Sequence, residues 1–254
     1  MLLVFGGTTE GKRVATALAE AGRRFIYSTK LPVVMPGLPG MTLRHGPLTA
    51  EALTALCRTE RIRGIVNASH PFAEVLHVTV AEVAAALGLP VWRFERRYPE
   101  RDLSSPWLRY VPDFPGAIAA LEELGREPLL AFTGVQTIAK LRPWWMRHLT
   151  FFQILDLPHS FALAQAQGIP REQLFAHAPA TEPDELVTRV HKLGIRVLIT
   201  KESGESGFQS VKERTATITQ IPLLVVERPA MPSSFVPVRE EAELLAAVGP
   251  EVSE

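Results

Sequence analysis

The sequence predicts an α/β fold built from two parallel-sheet domains, and three observations carry that prediction. Short apolar runs alternate with helix-like stretches along the whole chain. The connections between them are short, which implies parallel strands joined by right-handed crossovers. The alternation breaks once, between residues 95 and 115, where Arg96, Arg97, Pro99, Arg101, Pro106, Pro112 and Pro115 interrupt it, and then restarts. The expected domains are therefore residues 1–98 and 112–254. Two such units facing each other would form a cleft where strand carboxyl ends and βα loops meet.

The elements follow in order. Leu2–Phe5 is apolar throughout and short enough for one buried strand. Residues 12–21 form a helix with Val14, Leu18 and Ala21 on one stripe, ended by Gly22. Residues 25–28 are a second strand, and a Pro/Gly-rich loop covers 31–40. Thr49 caps a helix over 49–61, residues 64–68 are a third strand, and 71–87 are a long helix with Pro71 at its first position. Residues 90–94 form the fourth strand. In the second half, helices are expected at 116–124, 135–141, 160–167, 183–193, 207–217 and 239–248. Strands are expected at 128–132, 149–154, Leu174–Ala176, 196–200 and Leu223–Val226. No sequence repeat relates the halves.

Composition narrows the function classes. The 254 residues carry 27 basic and 27 acidic side chains, so the net charge is zero. A nucleic-acid or membrane-surface protein would usually carry a basic excess. No apolar span is long enough for a membrane helix, and the apolar start, lacking a basic flank, is expected to be a strand rather than a signal peptide. The single Cys57 excludes an internal disulfide and suits a reducing, cytoplasmic location; it falls on the apolar side of its helix and reads as core filler.

The chemistry concentrates where strands end. Leu2–Phe5 runs into Gly6-Gly7-Thr8-Thr9-Glu10-Gly11, and a helix begins. Such a turn brings backbone N–H groups and a helix N-terminus to an anion, so a nucleotide or dinucleotide is the first ligand to suspect. A Walker A loop is the poorer match, because Arg13 stands where a Ser or Thr would hold magnesium. The Rossmann spacing is also imperfect, with Thr8 at the second glycine position. A tight βα turn without a ligand is the plain alternative.

The third strand ends in Asn67-Ala68-Ser69-His70-Pro71-Phe72-Ala73, which places Ser69 or His70 near a helix cap beside the Gly6-Gly7 loop. His70 could donate a hydrogen bond or a proton there, or merely cap. Glu74 and His77 follow at helical spacing, but no second ligand cluster accompanies them and no metal site is expected. The second strand ends in Tyr27-Ser28-Thr29-Lys30, with hydroxyls and a Lys and no acidic residue. That favours NADPH over NADH, unless Lys30 is an ordinary surface lysine. In the second half, Thr133-Gly134 and Lys201-Glu202-Ser203-Gly204 are strand-to-loop junctions, and Arg228 follows the last strand. With Arg93, Arg96 and Arg97 they would suit a polycarboxylate, if they are not scattered surface charges.

These junctions together resemble the precorrin-6A reductase family of cobalamin biosynthesis, including its cobalt-precorrin members. The matching stretches are Gly6-Gly7-Thr8-Thr9-Glu10, Asn67-Ala68-Ser69-His70-Pro71-Phe72-Ala73, Thr133-Gly134, Thr200-Lys201-Glu202-Ser203-Gly204 and Glu227-Arg228-Pro229. They run in the family's order from residue 2 to about residue 230. The resemblance implies two Rossmann-like domains with NADPH and a tetrapyrrole polycarboxylate between them, and hydride transfer to one carbon–carbon double bond of the macrocycle. On that reading Gly6, Gly7, Thr8 and Thr9 cradle the pyrophosphate, with Ser28, Thr29, Lys30, Thr133 and Gly134 also on the cofactor. Lys30 is the proposed reader of the 2′-phosphate. Ser69 and His70 lie near the nicotinamide, His70 being the candidate proton donor. Lys201, Ser203, Gly204 and Arg228 lie near the substrate. The chain departs from the family pattern at Ala176-His177-Ala178-Pro179-Ala180, and at Glu205, where a second glycine is usual. A reductase of another small molecule and a nucleotide sensor without turnover are the alternatives. Neither the presence of cobalt nor the oligomeric state is legible in the residues.

Overall fold

A computed structural model describes residues 1–250. Two compact units emerge: Met1–Arg97 together with the described chain from Pro229 onward, and Tyr98–Arg228. Each holds one six-stranded sheet in which all pairings are parallel.

The first unit contains β1 (Leu2–Phe5), α1 (Thr9–Glu20), β2 (Phe25–Thr29), β3 (Met41–His45), α2 (Ala50–Thr59), β4 (Gly64–Asn67), α3 (Glu74–Leu87) and β5 (Val91–Phe94). The second contains β6 (Leu108–Val111), α4 (Phe114–Leu124), β7 (Leu129–Phe132), α5 (Arg142–Trp145), β8 (Thr150–Ile154), α6 (Pro158–Ala166), β9 (Leu174–Ala176), α7 (Pro183–Lys192), β10 (Val197–Lys201), α8 (Gln209–Thr219) and β11 (Leu223–Val226). The chain then returns to the first unit with β12 (Val236–Val238) and α9 (Glu241–Val248).

The strand orders are β12-β5-β4-β1-β2-β3 and β6-β11-β10-β7-β8-β9. In the first sheet β1 has its successors β2 and β3 on one side and β4, β5 and β12 on the other; in the second β7 has β8 and β9 on one side and β10, β11 and β6 on the other. The direction therefore reverses between β1 and β4 in one sheet and between β7 and β10 in the other. Ligands of open α/β sheets bind outside the strand carboxyl ends at such reversals.

Two-sided burial explains the apolar runs. In β1, Leu2 and Val4 pack with Val14 and Leu18 of α1 and Leu244 and Val248 of α9. Leu3 and Phe5 point the other way, into Leu53 and Cys57 of α2 and Val80 and Val83 of α3. Strands covered on both faces read as continuous hydrophobic stretches rather than alternating ones. Cys57 is buried, as its place on the apolar stripe of α2 predicts. In the second unit Leu130, Leu198 and Val225 pack beneath Leu186 and Val190 of α7 and Val211 of α8.

Several expectations need correction. The domain expected at 112–254 ends earlier, because β12 pairs with β5 of the first sheet. The interrupted stretch 95–115 contains β6, which pairs with β11. The Pro/Gly-rich loop is followed by β3, which pairs with β2. The helix expected at 135–141 is two short 3-10 turns that lead into α5.

Candidate functional site

At the reversal edge of the first sheet, β1 feeds the glycine loop and α1. Buried Tyr27 lies directly under this loop, and its hydroxyl accepts the Gly7 N–H at 3.0 Å. A Cβ on Gly6 would fall 2.1 Å from the Tyr27 ring, so Gly6 is glycine for packing. A Cβ on Gly11 would sit 2.7 Å from the Gly6 Cα, so Gly11 lets α1 start tight against the loop. Gly7 has φ +88° and its Cβ direction is open, with only Thr29 Cγ2 at 3.8 Å; it is the glycine that leaves room for a ligand. Thr8 caps α1 by accepting the Gly11 N–H at 3.0 Å and donates to the Ala68 carbonyl at 2.6 Å. One hydroxyl thus ties the loop to the end of β4. The N–H groups of Thr9 and Glu10 begin the helix and have no intrahelical acceptor. Glu10 itself is buried and pairs with buried Arg96 at 3.1 Å.

The end of β4 is held by a buried polar network. Asn67 Oδ1 accepts from the Ser69 hydroxyl at 2.8 Å, the Ser69 N–H at 3.3 Å and Arg93 Nη1 at 2.9 Å. Arg93 also donates to the Ser69 carbonyl at 2.9 Å and, through Nε, to Glu95 at 3.1 Å. His77 Nε2 meets the Ser69 hydroxyl at 3.2 Å. Burial first, then the Arg93 charge, push the His77 imidazole down to about 4, so it is neutral at physiological pH. Asn67 Nδ2 is buried without a hydrogen-bond partner among the described residues. Such exceptions are few in folded proteins and mark places where a water or ligand completes the set.

This network overturns the expected cap. Neither Ser69 nor His70 caps α3: Ser69 is drawn into the network, residues 70–73 form a turn closed by the Ala73 N–H on the His70 carbonyl, and Ala73 stands at the cap with no side-chain bond. Pro71 therefore precedes the helix rather than starting it. His70 is half-buried, and its Nδ1 accepts the Phe72 N–H at 3.2 Å, which puts the proton of the neutral ring on Nε2. The arginines read as substrate-facing are also accounted for internally. Arg93 serves the network, Arg96 holds Glu10, and Arg97 holds Glu240 at 2.7 Å.

At the end of β2, Ser28 and Thr29 are buried and Lys30 is exposed. The Thr29 hydroxyl donates to the Leu31 carbonyl at 2.7 Å. The Ser28 hydroxyl accepts from Arg44 Nη1 at 3.0 Å, a residue of β3 that no sequence signal marked.

The second sheet gathers the other candidates at its own reversal edge, where β7 and β10 are neighbours. Thr133 is buried, and its hydroxyl has no hydrogen-bond partner among the described residues. Gly134 has φ +77°, and nothing lies within 4 Å of its Cβ direction. Lys201 at the end of β10 is half-buried, while Ser203 and Gly204 beyond it are buried. The Gly204 N–H donates to Gln209 Oε1 at 3.0 Å, and its carbonyl accepts from Gly207 and Gln209, so this loop is closed on itself. Glu202, overlooked as an anchor, is the centre of the edge. Its buried carboxylate accepts from Arg101 at 2.9 and 3.0 Å and from the Arg228 N–H at 3.1 Å, and it pairs with Arg228 Nη1 at 3.3 Å. Burial opposes its ionisation, but the Arg101 and Arg228 bonds win and hold the carboxyl below its usual range. Arg228 lies 3.7 Å over the Tyr98 ring, so the first and last residues of this unit are stacked together. Arg228 Nε and Nη2 carry no hydrogen bond among the described residues.

A surface groove of about 740 Å³ runs between α1 and α9 past Lys12, Arg13, Thr16 and Leu245, and shares only Thr9 with the glycine loop. No group of three or more His, Cys, Asp or Glu among the described residues is arranged to hold a metal. No helix among them is long and apolar enough to cross a membrane.

Comparison with known proteins adds three findings. The profile of the precorrin-6x reductase CbiJ/CobK family matches residues 1–248. The chain is 30% identical to a precorrin-6A reductase of Rhodococcus erythropolis over 98% of its own length and 97% of the relative's. It is 28% identical to a cobalt-precorrin-6A reductase of a Synechocystis strain, covering 89% of this chain and 87% of that one. A solved structure of a CobK precorrin-6A reductase superposes with a TM-score of 0.76 at 19% identity, over 97% of this chain and 95% of the other, and so shares its fold.

Proposed function

The chain belongs to the precorrin-6x reductase CbiJ/CobK family, and we propose that it is an NADPH-dependent oxidoreductase of cobalamin biosynthesis that reduces one carbon–carbon double bond of precorrin-6A, or of its cobalt form, to precorrin-6B or the corresponding cobalt product. The observation that carries the cofactor half of this reading is the loop at the first reversal edge. Gly7 is open on its Cβ side, α1 begins directly behind it, and the Thr9 and Glu10 amides lack intrahelical acceptors. Those features fit a diphosphate.

When bound, NADPH supplies the hydride. Gly6, Gly7, Thr8 and Thr9 would hold the diphosphate, though with different tasks. Gly6 gives the loop its seat on Tyr27, Thr8 keeps the cap rigid, Gly7 leaves open space for the ligand, and Thr9 would offer its backbone N–H. Ser28 and Thr29, with a cation, would face the adenosine ribose. Ser69 is held by Asn67 and His77, so it would orient a ring rather than react. His70 is the proton donor of this reading: it would give its Nε2 proton as the imidazolium, which forms when Nδ1 exchanges the Phe72 N–H bond for a proton from solvent. In the second unit Thr133 has a buried hydroxyl without a hydrogen-bond partner among the described residues and Gly134 leaves open space, features that would suit a cofactor. Lys201, Ser203 and Arg228 would take the acidic periphery of the macrocycle, with Gly204 near the substrate as the residue that closes their loop. Arg228 is pre-aimed by Glu202 and Tyr98 and keeps Nε and Nη2 for a carboxylate. With no membrane-crossing helix among the described residues, the cytoplasm is the proposed location.

The test is direct. Purified protein, NADPH and either precorrin-6A or its cobalt form should lose absorbance at the nicotinamide band while the macrocycle gains two hydrogens by mass. Tight NADPH binding with no oxidation by either ring would instead make it a nucleotide sensor. Oxidation only with a smaller molecule would make it a different reductase.

A further inference from the structure

Arg44 lies on β3, opposite Ser28 of β2 in the parallel register. Its Nη1 donates to the Ser28 hydroxyl at 3.0 Å and to the Gly46 carbonyl at 2.7 Å, and its Nη2 reaches the Pro47 carbonyl at 3.5 Å. All three acceptors are neutral. Among the described residues Arg44 has no carboxylate partner, whereas Arg93, Arg96, Arg101 and Arg228 each hold one. The guanidinium is half-buried and fixed by two bonds through one nitrogen, so its charge is oriented but not neutralised. Ser28 accepts from Arg44, and its own hydroxyl proton is uncommitted. The pair sits at the carboxyl end of the strand that follows the glycine loop and α1. In a sheet of this order, that end meets the adenosine ribose.

We propose that Arg44, with the Ser28 hydroxyl, is the residue that reads the phosphate on the adenosine ribose and sets the preference for NADPH over NADH. The inference rests on the NADPH reading above and deepens it. Lys30, the cation the sequence pointed to, is exposed on a flexible stem. A pre-oriented planar fork loses less freedom per bond to a phosphate than a free ammonium does. Arg44 supplies bidentate geometry and Ser28 supplies a donor beside it.

The experiment is calorimetric binding of NADPH, NADH, 2′,5′-ADP and 5′-AMP to the wild-type protein and to Arg44→Gln, Arg44→Lys and Lys30→Ala. The expected result is that Arg44→Gln weakens NADPH and 2′,5′-ADP by about tenfold or more while NADH and 5′-AMP change little. Arg44→Lys should fall between, because it keeps the charge and loses the fork. It also keeps the test readable if the glutamine variant fails to fold. Lys30→Ala should leave the NADPH-to-NADH ratio near the wild-type value. An unchanged ratio in both Arg44 variants, or a ratio abolished by Lys30→Ala alone, overturns the assignment to Arg44. Wild-type protein that binds none of the four probes overturns the NADPH reading itself, and the inference with it.

Discussion

Tyr27 governs the glycine loop at the scale of single residues. Its ring occupies the space a Gly6 side chain would need, at 2.1 Å, and its hydroxyl takes the Gly7 N–H. Gly6→Ala should destabilise the protein by about 3 kcal/mol or more, since buried aromatic and backbone must both shift. Urea unfolding checks this, and Gly6→Ala combined with Tyr27→Leu should cost less than the sum of the single changes. His77 makes the pH prediction. Its folded value near 4 lies below the ordinary 6.5, so the unfolded chain binds the extra proton first as pH falls. The stability this group contributes is complete above pH 6.5 and is lost as pH drops from there through about 4. A shift of that size corresponds to about 3 kcal/mol. His77→Gln should remove that part of the acid sensitivity, seen as a smaller loss of unfolding free energy than wild type across the same window. The residue types at these sites were legible in sequence, but their partners were not. Arg93, Arg96 and Arg97 read as substrate forks or scattered charges because, Glu95 aside, their partners are Asn67, Ser69, Glu10 and Glu240, which only folding brings near.

At the scale of elements, caps and ion pairs connect loops to the sheets. Thr8 serves α1 and the end of β4 at once. Thr8→Ala should cost about 1–2 kcal/mol in urea unfolding and, on the proposed reading, weaken dinucleotide binding, whereas Thr8→Ser should keep most of both. Glu202→Gln breaks the pairing with Arg101 and Arg228. Both arginines are more than a third exposed, so the expected cost is about 2 kcal/mol, below that of a fully buried pair. A melt that leaves the second unit unchanged would contradict this. Three strands escaped sequence analysis, and all three are edges: β3, β6 and β12. An edge strand is covered less fully, so it lacks the continuous apolar run that announced β1, β7 and β11. β3 is exposed or half-buried throughout, and β12 carries Pro237, which a central strand would exclude. The early start of α1 was missed for another reason. Glycine and threonine at 6–9 read as loop, yet Thr8 is the cap and Thr9 is already helical.

At the scale of the whole molecule, the chain leaves its first unit, builds the second, and returns. The return supplies β12 to the edge of the first sheet and α9 to the face of α1, where Leu244 and Val248 join the cluster of Leu2, Val4, Val14 and Leu18. A fragment of residues 1–97 should therefore unfold at lower urea than the first unit of the intact protein and expose apolar surface to dye, and adding residues 229–254 in trans should restore cooperativity. Contrast with a contiguous domain is sharp: there the added segment would change nothing. The alternation of strands and helices, the glycine turn into a helix and the family resemblance were decided by the sequence alone, because local periodicity records which faces are buried and glycines record where backbone must pass closely. Which strands form the edges, where the last strand goes, which arginines are already neutralised and that Arg44 stands beside Ser28 were decided only by the tertiary structure. Those features depend on residues far apart in the chain meeting in space, and no short-range pattern of side chains encodes such a meeting.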